Sequence, residues 1–510
     1  MSGQTMSSRA PAGLRAAAPS TGGDAPRTVL LVTYYFPPSG GSGVQRMLKF
    51  TKYLPHFGWR PVVLTVREDA AYPVRDASLW ADVPEGTRVI RTPITEFYGA
   101  YRALAGQAGG DARRAAAAGS QQRGARGAAR GADDAAPIDL ASRRMDVGGS
   151  RGGGGGGGGG GRMERLLRWV RAGLFVPDGR VGWIPHALGP GARAIREERA
   201  SVLLSSGPPF TANVIGGLLN RRTGVPWVQD YRDPWTDATF YPDRPRLARA
   251  LDRSIERWTV RRAARTIAVN EEILADLGRL VPSIDPARCF AVLPNGFDEE
   301  DFALVPRIEP EKLTLVHTGT LWKSRDPVIL REALASLARE EPDIASTTEV
   351  LLAGRIDPEV LAAFAVPPLD RIVRPCGYLE HAASLRLLRS GHLCLLFVGE
   401  DREARGMLTG KVFEYLGSGT PILAIAPPEE SAARLIRDCR AGFVVAPSDG
   451  AGIREILRSL WTRWRDGERH FADPDAERIA QYGRKRLTGR LSEILSEVVA
   501  EVVERGNRPG

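Results

Sequence analysis

Residues 29–46 read VLLVTYYFPPSGGSGVQR, and this stretch decides the fold. Val29–Thr33 is a short apolar run, which predicts a buried parallel strand. A glycine-rich loop follows at Ser39–Gly43, and Val44–Phe57 then carries apolar residues at roughly helical spacing. Pro61–Val66 predicts a second strand. The resulting strand–loop–helix–strand unit is the seed of a doubly wound sheet.

The same alternation of strands and helices recurs along the chain. With 510 residues, the chain is too long for a single domain of ordinary size. We predict an N-terminal Rossmann-like domain over 27–296 and a C-terminal one over 297–472, joined at a Pro-Asn-Gly turn at 294–296. Helices over 473–510 follow. The fold class is therefore α/β, with two doubly wound domains and a cleft between them, where the carboxyl ends of the strands bind ligands.

Two stretches lack this alternation of predicted strands and helices. Residues 1–26 form a tail, and residues 104–162 are rich in Ala, Gly and Arg and end in ten consecutive glycines, which predicts a disordered insertion in the first domain. Met163–Phe175 then shows one apolar stripe with arginines beside it. This segment is either a helix packed on the first domain or a basic amphipathic helix that contacts anionic lipid.

The composition limits the possible partners. The net charge is +10, but the tail and the insertion supply half of it, with eleven arginines against six aspartates, so a basic excess spread in this way disfavours a nucleic-acid groove. The four cysteines and six histidines show no metal-ligand spacing. A secretory signal and a long apolar run are both missing, so we expect a cytoplasmic protein.

Two glycine-containing loops are candidates for binding phosphate. The loop with Gly41 and Gly43 lies between a strand and a helix N-terminus, where backbone N–H groups attract anions. It is not a P-loop, and Arg46 replaces the third glycine of the dinucleotide-binding pattern. A tight turn for close packing is the alternative. In the second domain, Gly319 follows a strand, and Lys323 or Arg325 near it could hold a pyrophosphate.

Charged residues mark two further places. Asp230, Arg232 and Asp233 follow the strand at Trp227 and Val228, at the expected edge of the cleft. Lys411 and Glu414 are three residues apart and share a helical face, so that Lys411 can meet phosphate while Glu414 accepts hydrogen bonds from a ribose diol. An ordinary surface ion pair would give the same sequence pattern.

The hinge at 294–298, the Gly319 loop and the segment 406–421, which follow one another in this order along the chain, resemble the retaining glycosyltransferases of family 4, which have the GT-B fold. The resemblance covers Thr28 to about Arg490. It implies that Glu414 holds the donor ribose, that the glycine loop approaches the donor phosphates and that the C-terminal helices pack back on the first domain. Two positions depart from the family pattern: Gly406 replaces the first signature glutamate, and Thr320 replaces an arginine.

The resemblance and the site residues together predict a retaining, hexosyltransferase-type transfer from a nucleotide-diphosphate sugar to a sugar or lipid-linked acceptor, as in cell-envelope polysaccharide or glycolipid synthesis. Cationic groups would stabilise the leaving diphosphate, so no metal or other cofactor is expected. Asp230 or Asp233 would serve the acceptor hydroxyl or the sugar charge. Peripheral contact with an anionic membrane surface fits the basic charge. A nucleotide-sugar epimerase and a non-catalytic sugar-nucleotide scaffold are the alternatives.

Overall fold

The structure, a computed structural model, describes residues 26–70, 72, 75–95, 175–237, 244–303, 305–323, 326–399 and 410–506. The predicted tail up to residue 25, the insertion 104–162 and the amphipathic segment up to residue 174 lie outside these ranges. The two domains can be followed through the described residues.

Seven parallel strands form the N-terminal sheet: β1 Arg27–Val32, β2 Trp59–Val66, β3 Arg88–Thr92, β4 Ala200–Gly207, β5 Trp227–Tyr231, β6 Arg265–Ala268 and β7 Phe290–Val292. Their order is β3-β2-β1-β4-β5-β6-β7, so the winding reverses between β1 and β4. Successive residues of β1 point to opposite faces: Val29 and Leu31 enter one core cluster, Leu30 and Val32 the other. A strand that is buried on both faces must be apolar throughout, as this one is.

Helices cover both faces of this sheet: α1 Ser42–Tyr53, α2 Ile184–Glu197, α3 Thr211–Thr223, α4 Arg246–Arg262, α5 Glu271–Leu280 and α6 Pro286–Cys289. Short 3-10 turns lie at Leu54–Phe57, Ala77–Asp82 and Val181–Trp183. Each long helix has one apolar face, because only that face meets the sheet.

The C-terminal sheet repeats the topology with six parallel strands: β8 Leu313–Thr318, β9 Thr348–Ala353, β10 Val373–Gly377, β11 Leu393–Phe397, β12 Ile422–Ile425 and β13 Gly442–Val445. Their order is β10-β9-β8-β11-β12-β13, with the reversal between β8 and β11. The helices after the hinge are α7 Glu299–Ala303, α8 Val328–Glu340, α9 Pro342–Thr347, α10 Pro358–Phe364, α11 His381–Ser390, α12 Gly410–Ser418, α13 Ser431–Asp438, α14 Gly450–Arg465, α15 Ala476–Ala480 and α16 Arg484–Gly506. The predicted class, α/β with two doubly wound domains, is confirmed.

The chain crosses between the domains twice, and the two crossings run side by side. The backbone N–H of Phe297 donates to the Tyr482 carbonyl at 3.1 Å, and that of Arg484 donates to the Phe297 carbonyl at 2.7 Å. Gly296 permits this approach, because a Cβ there would lie 2.0 Å from the Tyr482 carbonyl oxygen. The predicted Asn-Gly turn is therefore also a point of close backbone contact.

The last helix returns to the first domain. Leu487, Leu491 and Leu495 of α16 are 0% exposed and belong to the same core cluster as Val29 and Leu31 of β1. Their spacing of four residues places them on one helical face. A salt bridge of 2.8 Å between Arg265 and Glu501 adds to the contact. The helix is thus part of the N-terminal core.

One local expectation needs correction: the strand β5 extends to Tyr231, so Asp230 lies within it instead of after it. The helix α4 begins at Arg246, directly after Pro245, a residue whose fixed φ suits a helix start. Thr211 is the first residue of α3, and its N–H and hydroxyl donate to Asp178 at 2.9 and 2.7 Å.

Across the described ranges, no helix combines the length and the apolar character needed to cross a bilayer.

Candidate active site

The predicted chemical stretches gather at the two points where the strand order reverses. In the N-terminal domain, the glycine loop follows β1 and Ser205–Thr211 spans the end of β4. In the C-terminal domain, the Gly319 loop follows β8, and α12 is the first helix described after β11. Doubly wound sheets bind ligands in the crevice at such a reversal. The topology therefore supports the cleft predicted from sequence.

A buried ion pair ties the glycine loop to the hinge. Arg46 of α1 donates to Asp230 through Nη2 at 2.8 Å and Nε at 3.0 Å, and the two side chains are 1% and 0% exposed. Ser206 also donates to Asp230, at 2.7 Å, and Arg46 donates to the Pro294 carbonyl at 2.8 Å. The carboxylate of Asp230, which we expected to serve the acceptor or the sugar charge, is thus bound on both sides by Arg46 and Ser206.

Arg232 and Gly43 come together beside this pair. Arg232 donates from Nη1 to the Gly43 carbonyl at 2.6 Å and from Nη2 to the Pro208 carbonyl. Burial lowers the pKa of Arg232, against the opposing charges of Asp233 and Asp230. Arg232 thus joins the loops that follow β1 and β4. Asp233 is the next residue and is partly exposed.

In the second domain, Lys411 lies across the backbone of Gly319. Gly319 has a φ of +123°, which favours glycine, and a Cβ there would lie 2.0 Å from Lys411 Cε, so the end of this flexible side chain would have to move. Lys411 Nζ lies 3.4 Å from the Thr320 carbonyl oxygen. The Tyr415 hydroxyl accepts from the Thr318 N–H at 3.0 Å. These contacts fasten α12 to the loop after β8 and hold the Lys411 ammonium beside it.

Glu414 lies one turn after Lys411 and contacts a histidine that leads to the other domain. Its side chain is 28% exposed, and its Oε1 is 4.0 Å from His381 Nδ1. The Nε2 of His381 is 3.4 Å from Asp301, which binds Lys49 of α1 at 2.7 Å. Burial raises the pKa of Glu414, against the charges of His381, Arg484 and Lys411. Burial thus outweighs the attraction of these three cationic groups.

The remaining predicted donor residues are Gly41, Lys323 and Arg325. Gly41 is exposed, precedes α1 and has a φ of +83°, which favours glycine. The side chain of Lys323 is 70% exposed and pairs with Glu359 of α10 instead of meeting Lys411 or Glu414. Arg325 and Gly406 lie outside the described residues. The structure thus brings together Lys411, Gly319 and Glu414.

Among the residues that the structure describes, one group of acids has a geometry that could hold a metal ion: Asp82, Asp298 and Asp301. Lys49 Nζ lies 2.6, 2.6 and 2.7 Å from the three carboxylates. Lys52 binds Asp82 at 2.8 Å and Asp298 at 3.0 Å. Two ammonium groups therefore already offset most of the charge of these three acids, which form an ion-pair network across the hinge.

Sequence reasoning missed three residues around the cleft. His317, at the end of β8, shares its Nδ1 hydrogen with the Leu395 carbonyl at 2.9 Å, and burial together with Lys411 lowers its pKa to about 3. Arg484, the first residue of α16, is 5% exposed, and burial together with Arg46 lowers its pKa to about 9. The third residue is His381, which lies between Asp301 and Glu414. A histidine within the apolar run of β8 was a usable signal, whereas the other two carry none in sequence.

Comparisons with known proteins agree with this architecture. Residues 107–296 match the family model described as "Glycosyl transferase 4-like domain". A search of curated proteins finds no match. Sucrose-phosphate synthase from Thermosynechococcus elongatus is 14% identical, with a TM-score of 0.52 over 93% of this chain and 100% of its own. The N-terminal domain of trehalose-6-phosphate phosphatase from Candida albicans is 11% identical, with a TM-score of 0.54 over 93% of this chain and 97% of its own.

At such low identity the solved structures show a shared fold and nothing finer. The two domains, their strand orders and the cleft between them correspond to the GT-B architecture. The family model adds a likeness in sequence within the first domain. The chain thus has the GT-B fold of glycosyltransferases, and over residues 107–296 it is similar to a glycosyl transferase 4-like domain.

Proposed function

We propose that this protein is a retaining glycosyltransferase that moves a hexose from a nucleotide-diphosphate sugar to a sugar or lipid-linked acceptor in synthesis of cell-envelope polysaccharide or glycolipid. The observation that carries the proposal is the placement of Lys411 across Gly319 with Glu414 one turn further along α12. A cation and a carboxylate at this spacing suit the phosphate and the ribose of one nucleotide. The similarity of residues 107–296 to a glycosyl transferase 4-like domain supports it.

The chemical difficulty in such a transfer is the charge that develops on the leaving diphosphate. In our proposal, Lys411 and the backbone N–H groups around Gly41 and Gly43 stabilise that charge, which is the form of catalysis usually worth most. His317 is neutral at physiological pH, so it adds no second cation next to Lys411. Lys323 and Arg325 are further candidates for the phosphates; for Lys323 this requires release from Glu359.

The acceptor side of the proposal rests on Asp233. Arg232 fixes the segment that carries Asp233 by hydrogen bonds to the carbonyl groups of Gly43 and Pro208. Asp230 holds the same segment from behind through Arg46. Asp233 would then accept a hydrogen bond from the acceptor hydroxyl or balance the sugar charge. In this proposal Lys411 would supply the positive charge that faces the phosphates, so these steps call for no metal.

Calorimetric titration with UDP, GDP and ADP sugars, followed by transfer assays, tests the proposal. Glu414→Ala should weaken donor binding about 10- to 100-fold, because a hydrogen bond to a charged group is lost. Glu332→Ala is the matched control, since Glu332 is an exposed glutamate of α8 in the same domain. Wild-type donor binding in Glu414→Ala would refute this site.

The products separate the proposed reaction from its alternatives. A retaining transferase gives a product with the anomeric configuration of the donor, which NMR spectroscopy reads directly. Isomerisation of the donor without any acceptor would instead identify an epimerase. Donor binding with no turnover over a panel of acceptors would identify a non-catalytic scaffold.

A further inference from the structure

One face of α4 in the N-terminal domain is strongly basic. The helix carries six arginines, Arg246, Arg249, Arg253, Arg257, Arg261 and Arg262. Arg246, Arg261 and Arg262 are exposed. Arg221 and Arg222 at the end of the neighbouring α3 are exposed as well. Positive charge is therefore concentrated on one side of this domain.

The acids of the same helix do not offset this charge at the surface. Asp252 is 0% exposed, accepts from Trp235 Nε1 at 2.9 Å and pairs with Arg244 at 3.1 Å. Glu256 is 2% exposed and is bound by Thr236, and burial raises its pKa to about 8. Both carboxyl groups point into the domain. The solvent side of α4 thus carries arginines and neither of the helix's acids.

Large apolar side chains lie on this basic face. Leu247 is 86% exposed and Leu251 is 53% exposed, and their separation of four residues places them side by side. Trp258 continues the stripe two turns later and is half-buried. Ala248, Asp252 and Glu256 form the opposite, buried face. Exposed leucines give nothing to a helix that only faces water, so they call for a partner with an apolar layer.

The C-terminal half of α4 adds a concavity to the stripe. A cavity of about 590 Å³ is lined by Ser254, Arg257, Trp258, Arg261 and Arg262. Guanidinium groups around a tryptophan suit a phosphate group that is attached to an apolar tail. The helix therefore offers leucines at one end and an anion-binding hollow at the other.

We propose that this face of α4, made of Arg246, Leu247, Leu251, Trp258, Arg261 and Arg262, binds the surface of a bilayer that contains anionic phospholipids. An interfacial helix needs an apolar stripe and flanking cations, and both are present. A nucleic acid would satisfy the arginines but would leave Leu247 and Leu251 in water. A bilayer satisfies both groups at once.

The position of α4 relates this surface to the candidate site. Trp235 and Thr236, which bind Asp252 and Glu256, follow Asp233 by two and three residues. The first turns of α4 are therefore anchored to the segment proposed to face the acceptor. Docking through α4 would bring that segment towards the membrane, which suits a lipid-linked acceptor. This last step rests on the proposed function, whereas bilayer binding does not.

Co-sedimentation of the full chain with vesicles tests the proposal. The wild-type protein should pellet with vesicles of phosphatidylcholine and phosphatidylglycerol in equal parts, and much less with phosphatidylcholine alone. The triple variant Arg246→Ala, Arg261→Ala, Arg262→Ala should bind the anionic vesicles roughly tenfold to a hundredfold more weakly. Leu247→Ser with Leu251→Ser should also weaken binding, and the binding that remains should depend more steeply on salt.

A matched control removes the same charge from the other domain. Arg371, Arg374 and Arg386 are exposed arginines of the C-terminal domain, and their replacement by Ala should leave vesicle binding near the wild-type level. Circular dichroism and nucleotide-sugar binding should be unchanged in every variant, which separates this test from that of the donor site. Equal losses in both triple variants, or leucine variants that bind like wild type, would overturn the proposal.

Discussion

At the scale of single residues, the candidate donor site depends on a glycine that makes room for a charge. Gly319 combines a left-handed φ with a neighbour, Lys411, whose side chain occupies the place where a Cβ would project. The loop therefore fixes the ammonium by sterics as well as by its hydrogen bond to Thr320. A substitution here should act on the position of the charge, and not only on the backbone.

We expect Gly319→Ala to displace Lys411 and to weaken nucleotide-sugar binding about 10- to 100-fold, which calorimetry measures. The backbone strain should also reduce the free energy of unfolding by about 1–2 kcal/mol.

Gly377→Ala is the control, because Gly377 also has a positive φ, +68°, but open space around its Cβ position. It should reproduce the loss of stability without the loss of donor binding. Equal donor affinity in the two variants would contradict the role given to Lys411.

At the scale of elements, α16 belongs to a core that its place in the sequence does not suggest. It follows the second sheet along the chain, yet its leucines share a cluster with β1 and α1 of the first domain. The backbone hydrogen bond between Arg484 and Phe297 holds the start of α16 at the hinge. The N-terminal domain is thus complete only when the end of the chain is in place.

Leu491→Ala should therefore destabilise the N-terminal domain. The side chain is 0% exposed, and its truncation leaves a cavity, so we expect a loss of about 2–5 kcal/mol in the free energy of unfolding. Urea denaturation gives the size of the loss, and hydrogen exchange gives its place, which should be the strands β1 and β2. Val503→Ala, at a 57% exposed position of the same helix, should change stability by less than about 0.5 kcal/mol. Loss of protection in β8 to β13 alone would be inconsistent with this packing.

At the scale of the whole molecule, a line of charged groups joins the two domains. Lys49 of α1 binds Asp301 of α7, Asp301 meets His381 of α11, and His381 faces Glu414 in the candidate site. Burial acts to lower the pKa of His381, but Asp301 and Glu414 outweigh it, and the pKa is raised above its usual value. The state of this histidine therefore links the hinge to the donor side of the cleft.

A raised histidine pKa stabilises the folded state in a defined range of pH. The contribution is fully present below about pH 6.5, the unfolded value, and is lost as the pH rises through the higher folded value. We expect wild type to exceed His381→Gln in stability at about pH 5.5 and this difference to shrink towards pH 9. Urea denaturation across this range of pH measures the difference in stability.

The Asp301 carboxyl titrates at too low a pH to interfere, because His381 and Lys49 lower its pKa to about 2 against the effect of burial. A difference that does not vary with pH would exclude the link.

Sequence periodicity alone predicted the class of fold and most strands of both sheets, because strands buried on both faces must be apolar and their connections must follow at short spacing. The sequence also pointed to Gly319, which follows a predicted strand, and to Lys411 and Glu414, whose spacing places them on one helical face. Features that depend on neighbouring residues, such as strands and helical spacing, could therefore be predicted from the sequence.

Only the tertiary structure decided which charges are available to a substrate. Asp230 and Asp233 look alike in sequence, but Arg46, from 184 positions earlier, encloses Asp230, whereas Asp233 is partly exposed. Lys323 forms an ion pair with Glu359, and His381 and Arg484, which lie near Glu414, belong to separate helices. The physical reason is that the pairing of a charge depends on distances between side chains far apart in the chain, and these distances exist only after the sheets have formed and the domains have met.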